Sequence, residues 1–364
     1  MRRNQLVVHI QVAVLLAAAS ALPAADGGVP RTPSGRPDLG GHYDSGTLTP
    51  LNRPTAFGDK LYMTVAEAEK LSQEEQELLA RAAETSDPNR DAPAAGGAAP
   101  FNAPDQQRSE FGAGNVGGYN AFWIDRGSDA FRVDGKFRTS IIYEPANGRQ
   151  PPMTSKGMQK MMRGFASFAY ENDGTASWLD RSGPGPFDGP ESLALAERCL
   201  LGLSAGPPML PGLYNNFKRI VQTETHVTIL MEMVHDARVI RMDSEHAPAE
   251  HRKWLGDSIG WWEGDTLVVD TTNFRAETGL YGGDENLHLV ERFTKLENGD
   301  LLYNFAVDDS TAWTAPWRGE YVWKASDERV YEYACHEGNY AMGNILRGAR
   351  LLEQEYHKGE SGGR

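Results

Sequence analysis

From Phe217 to Cys335 the chain is a succession of short β-favouring runs divided by tight-turn signals, which leaves few folds open. Phe217–Thr223, His226–Val234, Ala237–Met242, Thr266–Thr272, Leu287–Lys295, Leu301–Val307, Gly319–Lys324 and Val330–Cys335 are rich in β-branched and aromatic residues. Glu263-Gly264-Asp265, Asn298-Gly299-Asp300 and Ser326-Asp327-Glu328 supply turns between them. No strand–helix–strand rhythm runs through this stretch, which argues against doubly wound and (β/α)8 architectures. The pattern predicts a mainly β fold: an antiparallel barrel with a few peripheral helices, or alternatively a β-sandwich. Phe137–Tyr143 and a segment near residues 38–44 are expected to add strands.

Helical periodicity appears in three places. Thr64 and Glu67 form a capping box opening a helix to about Glu84, with Val65, Ala68, Leu71, Leu78 and Leu79 as its apolar stripe. Met158, Met161, Met162, Phe165 and Phe168 recur at helical spacing between Thr154 and Tyr170, a stripe that reads as core packing. A short helix is expected over Pro190–Leu200. Asp87–Pro104 is rich in Ala, Gly and Pro and reads as a surface loop.

The first residues carry Arg2 and Arg3, an apolar stretch from Leu6 to Ala19, and Ala19-Ser20-Ala21 as a small-residue cleavage pattern. Residues 1–25 are therefore expected to be a signal peptide, 26–118 an extended lead-in with a helix and loop, and 119–364 the barrel domain. A periplasmic or secreted protein follows, with no stable membrane span after cleavage. The chain holds 36 Lys and Arg against 50 Asp and Glu, a net charge of −14. That balance disfavours nucleic acid and anionic lipid as partners. Cys199 and Cys335 are the only cysteines. In an oxidising compartment they form a disulfide, or else remain two buried thiols. No Cys or His pair has metal-ligand spacing on one element, so no metal is expected.

The run from His226 to Arg241 places Glu232, His235, Asp236 and Arg238 inside an apolar, β-favouring segment. Buried charges must pair or line a wet cavity. Strand alternation puts Glu232, Val234, Asp236 and Arg238 on one face, unless a bulge near His235-Asp236 redirects one of them. Two readings stay open: a Glu232–Arg238 or Asp236–Arg238 ion pair fixing strand register, or a ligand-facing cluster. His288, Glu291, Glu332 and His336 repeat the pattern on other expected strands, as the wall of a polar-lined barrel would.

Two motif matches lack their context. Gly112-Ala113-Gly114-Asn115-Val116-Gly117 has the spacing of a dinucleotide fingerprint but no strand before it, so no cofactor is expected. Gly256-Asp257-Ser258-Ile259-Gly260 has the form of a nucleophile elbow, which needs a strand before Ser258 and a helix after it. A strand-forming segment follows instead.

The chain resembles a widespread family of exported bacterial proteins. The resemblance rests on Tyr119–Gly127, Tyr214-Asn215-Asn216, Ile229–Asp243, Glu291–Thr294 and Tyr331–Tyr340. Its most distinctive part runs from Trp254 to Phe274, beginning Trp254-Leu255-Gly256-Asp257-Ser258 and continuing through Trp262-Glu263-Gly264-Asp265-Thr266. The resemblance implies a coherent family and no particular activity. Gly41-His42-Tyr43 is also similar to the first-strand motif of lipocalin-like (calycin) barrels, with Tyr43 in the place of their tryptophan. That likeness implies a cup-shaped barrel with one end open to an apolar small molecule.

The function expected from these readings is cofactor-free acid–base chemistry on a small hydrophobic or aromatic molecule, of lyase, isomerase or cyclase type. His235 and Asp236 are the expected proton-transfer pair, with Glu232, His288 and Glu291 as alternates and Arg238 orienting a carboxylate or stabilising developing charge. Trp123, Tyr214, Asn216, Trp254, Trp262, His336 and Tyr340 are the expected ligand contacts. The competing classes are a non-catalytic lipocalin-like binder and a serine hydrolase using Ser258.

Overall fold

A computed structural model of the chain describes residues 28–82, 124–170, 174–202, 204–278 and 280–359. The expected signal segment, the 87–104 loop, the 112–117 glycine motif and Trp123 lie outside the described residues. Thirteen strands follow in chain order among the described residues: β1 (Gly41–Asp44), β2 (Tyr62–Met63), β3 (Arg132–Val133), β4 (Lys136–Arg138), β5 (Ile142–Glu144), β6 (Phe217–Gln222) and β7 (His226–Met231). β8 (Ala237–Met242), β9 (Asp257–Glu263), β10 (Thr266–Thr272), β11 (His288–Lys295), β12 (Leu301–Asp308) and β13 (Trp317–Ser326) complete them.

β1 and β6 to β13 form a closed nine-stranded barrel, because β1 pairs with β6 on one side and with β13 on the other. The expected mainly β barrel with a few helices is what the chain forms. One junction departs from the expected antiparallel meander: β8 and β9 run parallel, with Ile240 opposite Ser258 and Met242 opposite Gly260. A parallel pair needs a return connection far longer than a hairpin, and residues 243–256 provide it. β5 lies along the first half of β13, while β2, β4 and β3 make a separate small sheet.

Alternation explains the core. Leu289, Glu291 and Phe293 of β11 point inward, as do Leu301, Tyr303, Phe305 and Val307 of β12 and Trp317, Tyr321 and Trp323 of β13. Tyr303 lies with ring centroids 5.0 Å from both Phe293 and Trp323, and Phe305 meets Trp317 edge-on at 5.7 Å. Each buried aromatic contributes about 2–3 kcal/mol and each such ring pair about 1 kcal/mol more. Gly319 stands where any Cβ would collide with the Phe305 ring.

The two ends differ. One carries tight turns at 222–226, 263–266 and 295–301, and the N-terminal segment crosses it: Tyr43 Oη donates to Leu39 O at 2.8 Å and Leu39 N to Gln222 Oε1 at 2.8 Å. At the other end the long connections gather. From there the segment leading to Asn216 enters the barrel, where Met209 N donates to Tyr303 Oη at 3.0 Å and Tyr321 Oη donates to Met209 O. The closed barrel is compatible with the lipocalin-like one expected, and Met209 packs into its interior beside Tyr303 and Tyr321.

Around the barrel, helix Val65–Ala82 starts at the predicted box: Glu67 N donates to Thr64 Oγ1 at 3.2 Å and Thr64 N to Glu67 Oε2 at 2.6 Å. The second helix spans Ser155–Gly164, with a short helical turn Ala166–Ala169 after it. Its methionines correct the core expectation, since Met158 and Met162 are exposed and Thr154 Oγ1 anchors the helix through Thr311 O at 2.5 Å. Pro190–Leu200 forms only a 3-10 turn, Pro190–Ser192, and Val330–Cys335 is irregular where a strand was expected. Phe137–Tyr143 divides between β4 and β5. A third helix, Tyr340–Lys358, packs Ala349 against Trp178 and closes on Gly359 in the left-handed region. Among the described residues no helix is long and apolar enough to cross a membrane.

Cys199 and Cys335 are bonded, with Cα atoms 5.7 Å apart across 136 residues. The bridge ties the base of the inserted segment to the strap leading into the last helix. Closing a loop of that length restricts the unfolded chain by about 4–5 kcal/mol. Reduction, or Cys199→Ser with Cys335→Ser, is expected to lower stability by up to about that amount in urea titrations.

Candidate functional site

The two strands expected in the charged segment form a hairpin, and a tight turn stands where a bulge near His235-Asp236 was considered. β7 ends at Met231, residues Met233–His235 form a 3-10 turn, and β8 begins at Ala237. Val234 and His235 take positive φ values of 60° and 46°. A β-branched residue there is strained, and burial of Val234 against Ala205 and Met233 holds it. The expectation that Glu232, Val234, Asp236 and Arg238 share a face is therefore corrected, as is the expected pairing of Arg238 with Glu232 or Asp236. Glu232 Oε1 accepts from Tyr331 N at 3.1 Å, and His235 Nδ1 meets Tyr333 O at 2.7 Å. Both side chains hold the C-terminal strap. Asp236 is half-buried, and its burial pushes the carboxyl up while His235 opposes that rise.

Arg238 alone of that group enters the barrel, where it meets Glu291. The two side chains are 1% and 0% exposed. Nη1 donates to Glu291 Oε1 at 2.9 Å and Nη2 to Oε2, while Nη2 also reaches Thr271 Oγ1 at 2.6 Å and Nε reaches Ser258 Oγ at 3.0 Å. Tyr303 Oη donates to Glu291 Oε1 at 2.7 Å, and burial first, then Glu291, pushes that phenol well above its usual range. Every guanidinium nitrogen is used. Ser258 therefore faces Arg238 and Thr271 inside the barrel from strand β9, and the strand–turn–helix context of a nucleophile elbow is absent. Nearby, Lys218 Nζ donates to Ser45 Oγ at 2.6 Å, and burial brings this amine down to about 8 against the pull of Asp44 and Glu232.

A second constellation lies on the outer face of β9 to β11, at the end with the long connections. His288 Nε2 meets Asp270 Oδ2 at 2.7 Å, and His246 Nε2 meets Asp270 Oδ1 at 2.8 Å. His246 Nδ1 lies 3.2 Å from Asp257 Oδ2. Behind them, Asp257 is fully buried and accepts from Arg241 Nη1 at 2.8 Å, Lys253 Nζ at 2.9 Å and Ala247 N at 3.0 Å. Arg241's hydrogen bond, outweighing burial, holds the Asp257 carboxyl far below the usual range. Burial pushes Asp270 up, but hydrogen bonds from His288 and His246 outweigh it and leave the carboxyl lowered. The hydrogen bond to Asp270 raises His288 against its own desolvation, with Asp308 adding to the rise.

The result is a four-member chain, Asp257–His246–Asp270–His288, whose last ring is 43% exposed. The 243–256 connection carries His246 to it, and Asn273 Nδ2 fixes that connection by donating to Ala247 O at 2.8 Å. Of the four, only His288 stood out in the sequence. Asp270 was legible as an acid at an outward position of an alternating strand, but nothing in the sequence brings His246 beside it. Among the described residues no three of His, Cys, Asp or Glu converge as a metal-holding group.

The remaining sequence-predicted contacts are not brought together. Tyr214 packs by Ala205 and Val234, while Asn216 Nδ2 donates to Asp125 O at 2.8 Å. Trp254 lies under Arg275 at 4.4 Å, and Trp262 sits near the opposite end beside Arg36. His336 is exposed on the C-terminal strap and Tyr340 at the start of the last helix.

Removing one partner of the enclosed pair leaves an uncompensated buried charge, so Glu291→Ala is expected to cost about 3–5 kcal/mol in urea unfolding. Arg238→Met with Glu291→Leu should recover most of that loss. A raised folded-state histidine pKa means the His288–Asp270 link contributes fully below about pH 6.5, the imidazole's ordinary value. That contribution is lost as pH rises through the raised value, and acid removes it as pH falls from Asp270's ordinary value through its lowered one. His288→Asn should therefore destabilise more at about pH 5.5 than at about pH 9. No family model, curated protein or solved structure matches this chain.

Proposed function

We propose that the protein is an exported barrel enzyme, of the bacterial family that its Trp254–Phe274 segment resembles, which moves a proton on a small molecule without a cofactor. The observation that carries this reading is the chain Asp257–His246–Asp270–His288, in which every link is 3.2 Å or shorter. A general base needs a free nitrogen, a fixed tautomer and a carboxylate partner for the charge it acquires. Asp270 holds Nε2 of His288 as a donor, which leaves Nδ1 to take the proton. His246 and Asp257 in turn hold Asp270 in one orientation.

In the forward step Nδ1 accepts a proton from an acidic carbon or hydroxyl of the substrate, and the imidazolium is stabilised by Asp270. Return of that proton to a second position gives an isomerase, and its delivery to a leaving group gives a lyase. The Cys199–Cys335 bridge supports export to an oxidising compartment. A purely mechanical role, pinning the 243–256 connection to the barrel wall, is favoured by the burial of Asp257 beneath donors from Arg241, His246, Ala247 and Lys253.

The two readings separate in a deuterium-exchange screen. The wild-type protein, incubated in D2O with a library of small carbonyl and hydroxyl compounds, is expected to label at least one at carbon or convert it. His288→Asn should reduce that rate by about 10²–10⁴-fold. Because the base must be neutral, kcat/KM should rise with pH through the raised His288 pKa, and Asp270→Asn should move that limb to lower pH. An unchanged rate in His288→Asn, or the absence of any labelling, sinks the catalytic reading.

A further inference from the structure

Arg53 lies beneath the exposed turn at Glu144–Asn147, on a part of the molecule that shares no barrel strand with the His288 chain. Its side chain is buried, with the residue 1% exposed. Nη1 donates to Ala146 O at 2.8 Å, while Nε and Nη2 have no acceptor among the described residues. Those two nitrogens form one edge of the guanidinium. Their N–H bonds point in parallel, the fork that takes two oxygens of a carboxylate or phosphate at once.

The chain shapes itself around this group. Arg53 N donates to Gly148 O at 2.8 Å, and the guanidinium lies flat against Gly148, where a Cβ would come within 2.6 Å of both Cζ and Nε. Arg138 is a second buried guanidinium. It is paired with Glu320 through Nη2, but its Nε has no partner among the described residues. Burial lowers Arg53, Asp59 opposes it through space, and the charge of Arg138 adds to the lowering. Enclosing unpaired guanidinium donors is strongly unfavourable. In a chain with 50 acidic residues an acidic partner was freely available in sequence terms, yet none of the described ones meets this fork.

We propose that Arg53, backed by Arg138, is a binding site for a small oxyanion, bound through two oxygens on the Nε–Nη2 edge. Carboxylates, phosphate and sulfate share the required geometry, and chloride lacks it. The site is independent of the acid–base reading and can be tested without a substrate.

The test is thermal unfolding and calorimetric titration of the mature chain with inorganic phosphate, sulfate, acetate and chloride at matched ionic strength. One of the oxyanions is expected to raise Tm saturably, whereas stabilisation by preferential exclusion rises without saturating. Whether phosphate or acetate is preferred tells a phosphoryl ligand from a carboxylate one. Arg53→Lys keeps the charge but not the fork and should bind roughly tenfold more weakly. Arg53→Gln should abolish the saturable response. Should Arg53→Gln fail to fold, Gly148→Ala, which pushes the guanidinium aside, is expected to remove the response as well. Equal responses to chloride and to every oxyanion, or a saturable response surviving in Arg53→Gln, overturn the proposal. So does a wild-type protein indifferent to all four anions, since the fork is then served from within the chain.

Discussion

Arg238 and Glu291 are brought together from β8 and β11, across the inside of a closed barrel, and water reaches neither. Such a pair is tolerable only when every donor and acceptor is met, because desolvating two charges costs more than their attraction alone returns. Ser258, Thr271 and Tyr303 meet that condition from β9, β10 and β12. Five consecutive strands of the barrel thus converge on one ion pair. A one-residue slip in any of them would turn its contributing side chain outward and leave a buried charge unsatisfied, so the pair fixes register as well as contributing contacts.

The same network reaches the inserted segment. Tyr303 Oη, while donating to Glu291, accepts from Met209 N, and Tyr321 takes the Met209 carbonyl. Main chain buried in a barrel must find partners, and these two phenols supply both. The inserted segment is therefore part of the core. It is tethered where it enters by Cys199–Cys335, and the strap just before Cys335 is held in turn by His235 and Glu232. Residues that read in sequence as acid–base candidates fall into this mechanical role because the turn at Val234 swings them off the strand face.

Much of the fold was legible because alternation and turn chemistry are local. Leu301–Val307 and Leu287–Lys295 announce their inward faces by period two, and Asn298-Gly299 announces the turn between them. The capping box at Thr64 follows from the same kind of signal, whereas closure of the barrel, which a sandwich rivalled in sequence, rests on β1 meeting β13 with His42 opposite Ser326. What could not be read is what depends on long-range placement. Glu291 as the partner of Arg238 is 53 residues away. The helix Tyr340–Lys358 has a mixed surface, and it is held by a small cluster around Trp178 and by Glu353 accepting from the Trp178 indole. Arg53 gives no sequence signal at all, since its interest lies in a partner that the described chain does not provide.

The departure from a meander and the exposed chemistry have the same cause. In an unbroken antiparallel barrel each strand hands on to the next through a short turn, and nothing lies over the outer face. Between β8 and β9 the chain instead runs back along the barrel before pairing in parallel, and the return segment lays His246 between Asp257 of β9 and Asp270 of β10. Asp257 pins that segment through Ala247 N and Lys253, and Arg241 at the end of β8 closes the clamp. The interior polar groups are consumed by their own mutual satisfaction. The outer chain ends at a half-exposed imidazole, so the topological irregularity is what builds the site for which the acid–base role is proposed.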